Sequence, residues 1–301
     1  MPERGIGLGQ ELGVAPAERD ALVAHARALG YSSAWTNARG TREPFETCVR
    51  WTHDGLTAGI SVVPLDAWDA GALAHLANET AGRAPGFVLG VGSGGAGGGA
   101  LELVRDRVAF LRREAPGIPL YIGALGPRML RLAGEVADGA ALNWCDAERV
   151  AWSRERIAEG AARAGRDANA IRIVEYIRVC VDEDESAARN ALAVAILGYA
   201  LAGPRRPKDR GYRVHFTRMG FDDVLTALEE RRDRGEPVES LAADLPADLV
   251  RRVGAFGRPA AAAGSFARLA EGLDLPIVRV VAVGDPQVSA RAAITACAPA
   301  N

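Results

Sequence analysis

Lysine is almost missing from this chain of 301 residues: Lys208 stands alone and the other 35 of the 36 basic side chains are arginine. With no Gly-Lys-Ser/Thr anywhere, the glycine-rich stretch GVGSGGAGGGA is not a Walker-type phosphate loop. The arginines are interspersed with 38 acidic residues, for a formal net charge of −2. No long block of like charge remains to attract nucleic acid or an anionic membrane. Cysteine is sparse too. Cys48, Cys145, Cys180 and Cys297 lie far apart without a CxxC pair, which argues against a disulfide frame or a zinc site and for reduced thiols in a cytosolic core. No apolar run approaches the roughly 20 residues of a membrane span. MPERGIGLGQELG also lacks the apolar stretch of a signal peptide, so a cytoplasmic protein is expected. What is abundant is alanine and glycine, which we read as coding bias. Hydrophobic residues make up 49% of the chain, enough to bury a sizeable core.

Short β-like runs alternate with amphipathic helical patterns. Strands are expected at 5–9, 32–36, 56–63, 86–92, 119–123, 139–143, 171–181 and 276–283, each followed by a helical pattern such as PAERDALVAHARALG or DEDESAARNALAVAILGYAL. The second of these is entered through acidic residues that suit a helix N-terminus. Eight such repeats predict an α/β fold, a (β/α)8 TIM barrel forming one domain over 1–301, with a doubly wound open sheet as the competing arrangement. Residues from about 203 to 255 break the rhythm. They are polar and rich in arginine, and they read as two or three short helices with too few bulky apolar residues for a core of their own. They are expected as an insertion between the seventh and eighth strands, on the face where barrel sites are built.

Several stretches carry chemistry. YIGALGPRMLRLAGEVADGAALNW, residues 121–144, is a buried strand, a tight turn with Gly123 and Gly126, and a helix opened by Pro127, whose missing N–H is no loss there. Its first turn presents backbone N–H groups and a positive dipole end, a place for an anion that Arg128 would reinforce. AGISVVPLDAW ends a strand at Ser61-Val62-Val63 before Pro64. Gly94 to Gly99 read as a flexible surface connection. In EYIRVCVDE, Arg178 interrupts an apolar strand, so it faces either a carboxylate, with Glu175 as the candidate, or the solvated barrel mouth. His25, His53 and His75 read as structural, whereas His215, in the insertion, could reach the mouth, with Tyr212 and Trp144 as further minor candidates.

These stretches, with GFVLGVGSGG, IRVCVDEDE and GLDLPIVRVVAVG, resemble the bacterial luciferase-like flavin and deazaflavin oxidoreductases. The likeness is closest to their coenzyme F420-dependent branch, which includes the methylenetetrahydromethanopterin reductases, and runs from Gly5 to about Pro299. It implies a (β/α)8 barrel with the ring of coenzyme F420 at the mouth. The cofactor phosphate would then be held by Gly123, Ala124, Leu125, Gly126, Pro127 and Arg128. Ser61 and Val62 match a bulge, often with a non-proline cis peptide, that backs the ring, and Ser93 would contact the ring or the ribityl chain. Asn37, Asn143 and Arg178 would line the substrate side. The chain departs from its relatives after the second strand, where Asn37, Arg39 and Arg42 replace the usual His or acidic residue, and after Ser93, where Gly94 and Gly95 replace a glutamate of the sugar-phosphate-oxidising members. No catalytic acid and no metal are assigned. The expected function is hydride transfer between the deazaflavin and a small organic substrate, in a homodimer. An FMN-dependent monooxygenase and a non-catalytic member of the fold are the alternatives; a phosphate-binding barrel lyase or isomerase is more distant.

Overall fold

Every expected strand forms in the computed structural model, which describes residues 3–53, 55–203 and 207–299. The strands are β1 Gly5–Gly7, β2 Ser33–Thr36, β3 Thr57–Pro64, β4 Val88–Gly92, β5 Leu120–Gly123, β6 Gly139–Asn143, β7 Arg172–Val181, β8 Gly254–Gly257 and β9 Leu275–Val280. All pairings are parallel, and β1 to β7 followed by β9 close on themselves as an eight-stranded barrel. The open sheet is thereby excluded. No helix of the described residues is long and apolar enough to cross a membrane.

Alternation along each strand sorts side chains into two cores. Ile6, Ala34, Ile60, Leu89, Ile122, Leu142, Ile177 and Val278 point outward into the helical layer. That layer comprises α1 Pro16–Ala28, α2 Glu43–Thr52, α3 Ala70–Arg83, α4 Ala100–Glu114, α5 Pro127–Val136, α6 Ala147–Arg163, α7 Glu185–Ala200, α12 Pro259–Leu269 and α13 Pro286–Ala296. Trp35, Tyr121, Ala141, Val174, Tyr176, Leu275 and Ile277 fill the barrel interior. Three aromatics there lie on glycines: a Cβ at Gly59 would come 2.4 Å from Trp35, one at Gly7 2.7 Å from Tyr176, and one at Gly139 2.8 Å from Tyr121. Large rings facing missing side chains pack the lower barrel without a pore.

The insertion differs from its expected form. Among the described residues it contains four helices, α8 Gly211–Arg218, α9 Asp222–Asp233, α10 Val238–Asp244 and α11 Ala247–Val253, and ends in a strand, β8, that the sequence does not announce. Residues 204–206 of the expected insertion lie outside the described residues. β7 outruns its neighbour: it pairs with β6 over Arg172–Tyr176 and with β8 over Arg178–Val181. The insertion is not short of apolar side chains either. Phe216, Phe221, Leu225, Leu228, Leu241 and Val250 are buried with Leu192 and Ile196 of α7 and with Trp144 and Phe256, a second core over the barrel's C-terminal end.

Candidate functional site

The third strand supplies one wall of the mouth. The register of β3 against β4 shifts between Ile60 and Val63, and the Ser61–Val62 peptide there is cis, as the resemblance implies. The shift turns the Val62 side chain into the barrel. A Cβ at Gly92 would lie 2.9 Å from Val62 Cγ2, and Cβ atoms at Gly90 and Gly123 would each lie 3.3 Å from its Cγ1. Ser61, Val62, Ser93 and Gly123 are all half-buried at this end of the barrel. The glycine-rich loop beyond Ser93 is exposed, yet it is tied down: the Gly95 N–H donates to Asp66 Oδ2 at 2.7 Å, a partner the sequence did not suggest.

At the turn after β5, Gly126 is extended (φ −98°, ψ 156°) and Pro127 opens α5. The expected set of free N–H groups is smaller by one, because Ala124 N–H donates to Ala141 O at 3.1 Å. The turn is reinforced by arginines from other elements. Arg149, on α6, donates from Nη2 to Leu125 O at 2.9 Å and lies 3.6 Å above the Trp152 ring. It is buried, its Nε has no partner, and burial together with the nearby Arg218 lowers its pKa. Arg218 Nη1, from the end of α8, would sit 3.9 Å from a Cβ at Gly126. Among the described residues neither Arg128 nor Arg218 has an ion-pair partner, and both are exposed. A cleft of about 560 Å³ takes in Arg218 but not Arg128, and is lined also by Arg149, Trp152, Arg252, Asp146 and Glu148. Arg252 is already engaged, donating to Asp146 Oδ2 at 2.6 Å and to Met219 O at 2.8 Å. A second cleft, of about 570 Å³, lies on the outer layer between α12 and α13, lined by Pro259, Val288 and Arg291.

Opposite β3 stand β7 and β9. Arg178 donates to Tyr176 O at 2.9 Å and to Asn143 Oδ1, and its guanidinium lies 4.3 Å over Trp144 and 5.4 Å from Tyr199. Asn143 Nδ2 donates to the Tyr212 hydroxyl at 2.6 Å, so α8 does reach the mouth. Burial raises the Tyr212 pKa to about 12, with Tyr199 adding to it.

Glu175 does not pair with Arg178. Side chains three apart on a strand point to opposite faces, and Glu175 turns outward, where its Oε1 accepts Cys145 N–H at 2.7 Å and its Oε2 is buried without a partner. Burial raises the Glu175 pKa to about 8. His215 is also buried, with Nε2 2.9 Å from Trp144 O, and burial lowers its pKa to about 4. All four cysteines are buried, and burial pushes each thiol above its ordinary value, so none is a ready nucleophile. No cluster of three or more His, Cys, Asp or Glu side chains among the described residues is arranged to hold a metal.

Asn37 faces the mouth beside a residue missing from the expected set. Arg279, on β9, is buried inside the barrel and donates from Nη2 to Asn37 Oδ1 at 3.3 Å. It also pairs with Glu11, and its Nη1 is buried without a partner. The signal was present in the sequence: LPIVRVV sets an arginine within an apolar strand just as EYIRVCV does.

A family model described as luciferase-like monooxygenase matches residues 98–274. Two curated relatives are 5,10-methylenetetrahydromethanopterin reductases. The one from Archaeoglobus fulgidus is 40% identical over 102 residues, and the one from Methanolobus tindarius is 36% identical over 102 residues. Each match covers 34% of this chain and 30% or 31% of the relative, so the chain aligns with about a third of their length. Among solved structures, a coenzyme F420-dependent tetrahydromethanopterin reductase from Methanopyrus kandleri superposes with a TM-score of 0.76 at 16% identity, covering 99% of this chain and 98% of that one. An F420-dependent secondary alcohol dehydrogenase bound to an F420-acetone adduct gives a TM-score of 0.69 at 14% identity, over 98% of this chain and 99% of its own. An FMN-bound Baeyer-Villiger monooxygenase component from Pseudomonas putida gives 0.62 at 14% identity, over 99% of both chains. These structural likenesses establish the shared barrel.

Proposed function

From the chain's membership of the luciferase-like monooxygenase family, matched over residues 98–274, we propose that it is an F420-dependent oxidoreductase acting on a small organic substrate. The two structural relatives named for F420 favour this reading, and the curated relatives are reductases by name. The observation that carries it is the set of cations at the α5 N-terminus: Arg128 and Arg218 without carboxylate partners among the described residues, and Arg149 with a buried, unbonded Nε. Arginines gathered at a helix N-terminus, one of them buried with an unbonded donor, form a ready site for an anionic group. The cofactor phosphate supplies that group.

The residues fit the rest of the cofactor as well. Val62 and Ser61 back the ring, Gly90, Gly92 and Gly123 make room for the Val62 side chain, and Ser93 contacts the ring or the ribityl chain. When bound, the deazaflavin supplies two-electron hydride chemistry; the protein places it, anchors its phosphate and excludes water. Asn37, Asn143 and Arg178 line the facing side as the substrate wall. The four buried thiols suit a reducing cytoplasm, and a homodimer is the assembly we assign.

Parallel calorimetric titrations with coenzyme F420 and FMN test this reading. Tighter binding of F420 is the expected result. A preference for FMN replaces it with the flavin monooxygenase reading, and binding of neither makes the chain a non-catalytic barrel.

A further inference from the structure

Around the closed barrel, β3 is the third strand and β7 the seventh of eight, so the Val62 wall faces the β7–β9 wall across the mouth. On that far wall Arg178 and Arg279 are register partners on adjacent strands. Both point inward, both are buried, and they stand 5.9 Å and 4.7 Å from the Tyr176 ring centroid. Buried guanidinium groups ordinarily meet carboxylates. Here Arg178 has neutral partners, Asn143 and the Tyr176 carbonyl. Arg279 has Asn37 and the Glu11 carboxylate, which reaches in from a half-exposed side chain. Among the described residues Glu11 is thus the one carboxylate paired with either arginine, and Arg279 Nη1 remains buried and unbonded.

We infer that the substrate is a carboxylate, a monoanionic organic acid whose carboxyl group is held by Arg279 and Arg178. Two guanidinium charges against one carboxylate leave one positive charge, which a monoanion neutralises and a phosphate dianion overshoots. A guanidinium offers a carboxylate two parallel N–H donors: at Arg279 Nη1 is unbonded, and Nη2 beside it is the donor for which the acid competes with Glu11. Trp144, Tyr199 and Tyr212 beside Arg178 provide an aromatic wall for the apolar body of the acid. Burial lowers the Arg279 pKa to about 9. This inference rests on the mouth being the substrate side, but it does not depend on which cofactor is bound.

The test is calorimetric binding of acetate, phenylacetate and benzoate, each against its amide, to the protein with and without F420. At least one acid is expected to bind about tenfold or more tightly than its amide. Arg279→Met should abolish that preference, and Arg279→Lys, which keeps the charge but loses the fork, should weaken it. Glu11→Gln, at an exposed side chain, removes the competing carboxylate and should tighten binding of the acid. Equal affinity for every acid and its amide, or a preference that survives in a folded Arg279→Met protein or is undiminished in a folded Arg279→Lys protein, overturns the inference. F420 affinity in the same titrations reports separately on the cofactor: an Arg279-dependent acid preference in a protein that ignores F420 would sink the cofactor reading and leave this one standing.

Discussion

Glu175 and His215 hold the two residues of one loop, Cys145 N–H and Trp144 C=O, and both titrate out of their ordinary range for want of water. Their effects on stability have opposite signs. Burial raises the Glu175 pKa from 4.5 to about 8, so the native state favours its proton, and stability is lost as pH rises through that interval. Burial lowers the His215 pKa from 6.5 to about 4, so the native state refuses a proton, and stability is lost as pH falls through that interval. The two offset each other between pH 4.5 and 6.5, leaving Glu175 alone to act from 6.5 to 8. Urea midpoints for the wild type are therefore expected to fall across that upper window, by at most roughly 1.4 kcal/mol per pH unit, and to stay flat in Glu175→Gln. Parallel slopes for the two proteins would show that Glu175 is not buried as described. Arg218 answers a different question at the same scale. Being exposed and unpaired among the described residues, it can become alanine with little change in melting temperature. Losing a charge-assisted contact should nonetheless weaken F420 about tenfold, and an unchanged affinity would remove Arg218 from the phosphate site.

The turn proposed to hold the phosphate owes its shape to the packing of α5 on α6. Their backbones touch through glycines: a Cβ at Gly160 would fall 1.9 Å from Arg131 O, and one at Gly134 2.1 Å from Ile157 O. An Arg131–Glu159 ion pair at 2.6 Å binds the same crossing. Close approach lets Arg149 on α6 reach Leu125 O at the head of α5. Gly160→Ala must push the helices apart, at a cost of about 1–3 kcal/mol, and should lower cofactor affinity from a distance. Gly126→Ala is the contrasting change. Its φ of −98° suits any residue, and its Cβ would meet only Arg218 Nη1 at 3.9 Å. It should cost less than about 1 kcal/mol as an N-cap change yet still obstruct an anion approaching the backbone. If Gly126→Ala keeps full F420 affinity, the anion does not sit on that turn. The strand–turn–helix itself was legible in YIGALGPRML, because apolar runs, Gly-Pro and period announce themselves locally. Arg149 and Arg218 were not, since they arrive from α6 and α8 and nothing near them in sequence points to residue 126. β8 was hidden for another reason. GAFG is four residues with two glycines, and it becomes a strand only because β7 runs beyond β6 and offers it an edge.

Whether the insertion is a passenger or part of the barrel's own cooperative unit depends on what it shares. Arg213 on α8 is buried against Glu229 and Asp222 of α9 at 2.8 Å each, and Ala202 N–H at the end of α7 donates to the same Glu229, also at 2.8 Å. Phe221 is fully buried, 5.3 Å from Phe216, within a core completed by Trp144 of the β6–α6 loop, Cys180 of β7 and side chains of α7. The four helices thus have no apolar interior to themselves, since their core is shared with α7, Trp144 and Cys180, and β8 stitches their end to β7. One cooperative transition is expected on heating, read identically by far-UV circular dichroism and by Trp fluorescence. Phe221→Ala should lower that whole transition by about 3–5 kcal/mol, the cost of emptying an aromatic site in a shared core. A variant that instead released an early, separate phase while the barrel kept its midpoint would show the insertion folding as a unit apart. The mouth would then have a detachable cover rather than a fixed roof, with Tyr212 leaving Asn143 each time the cover lifts.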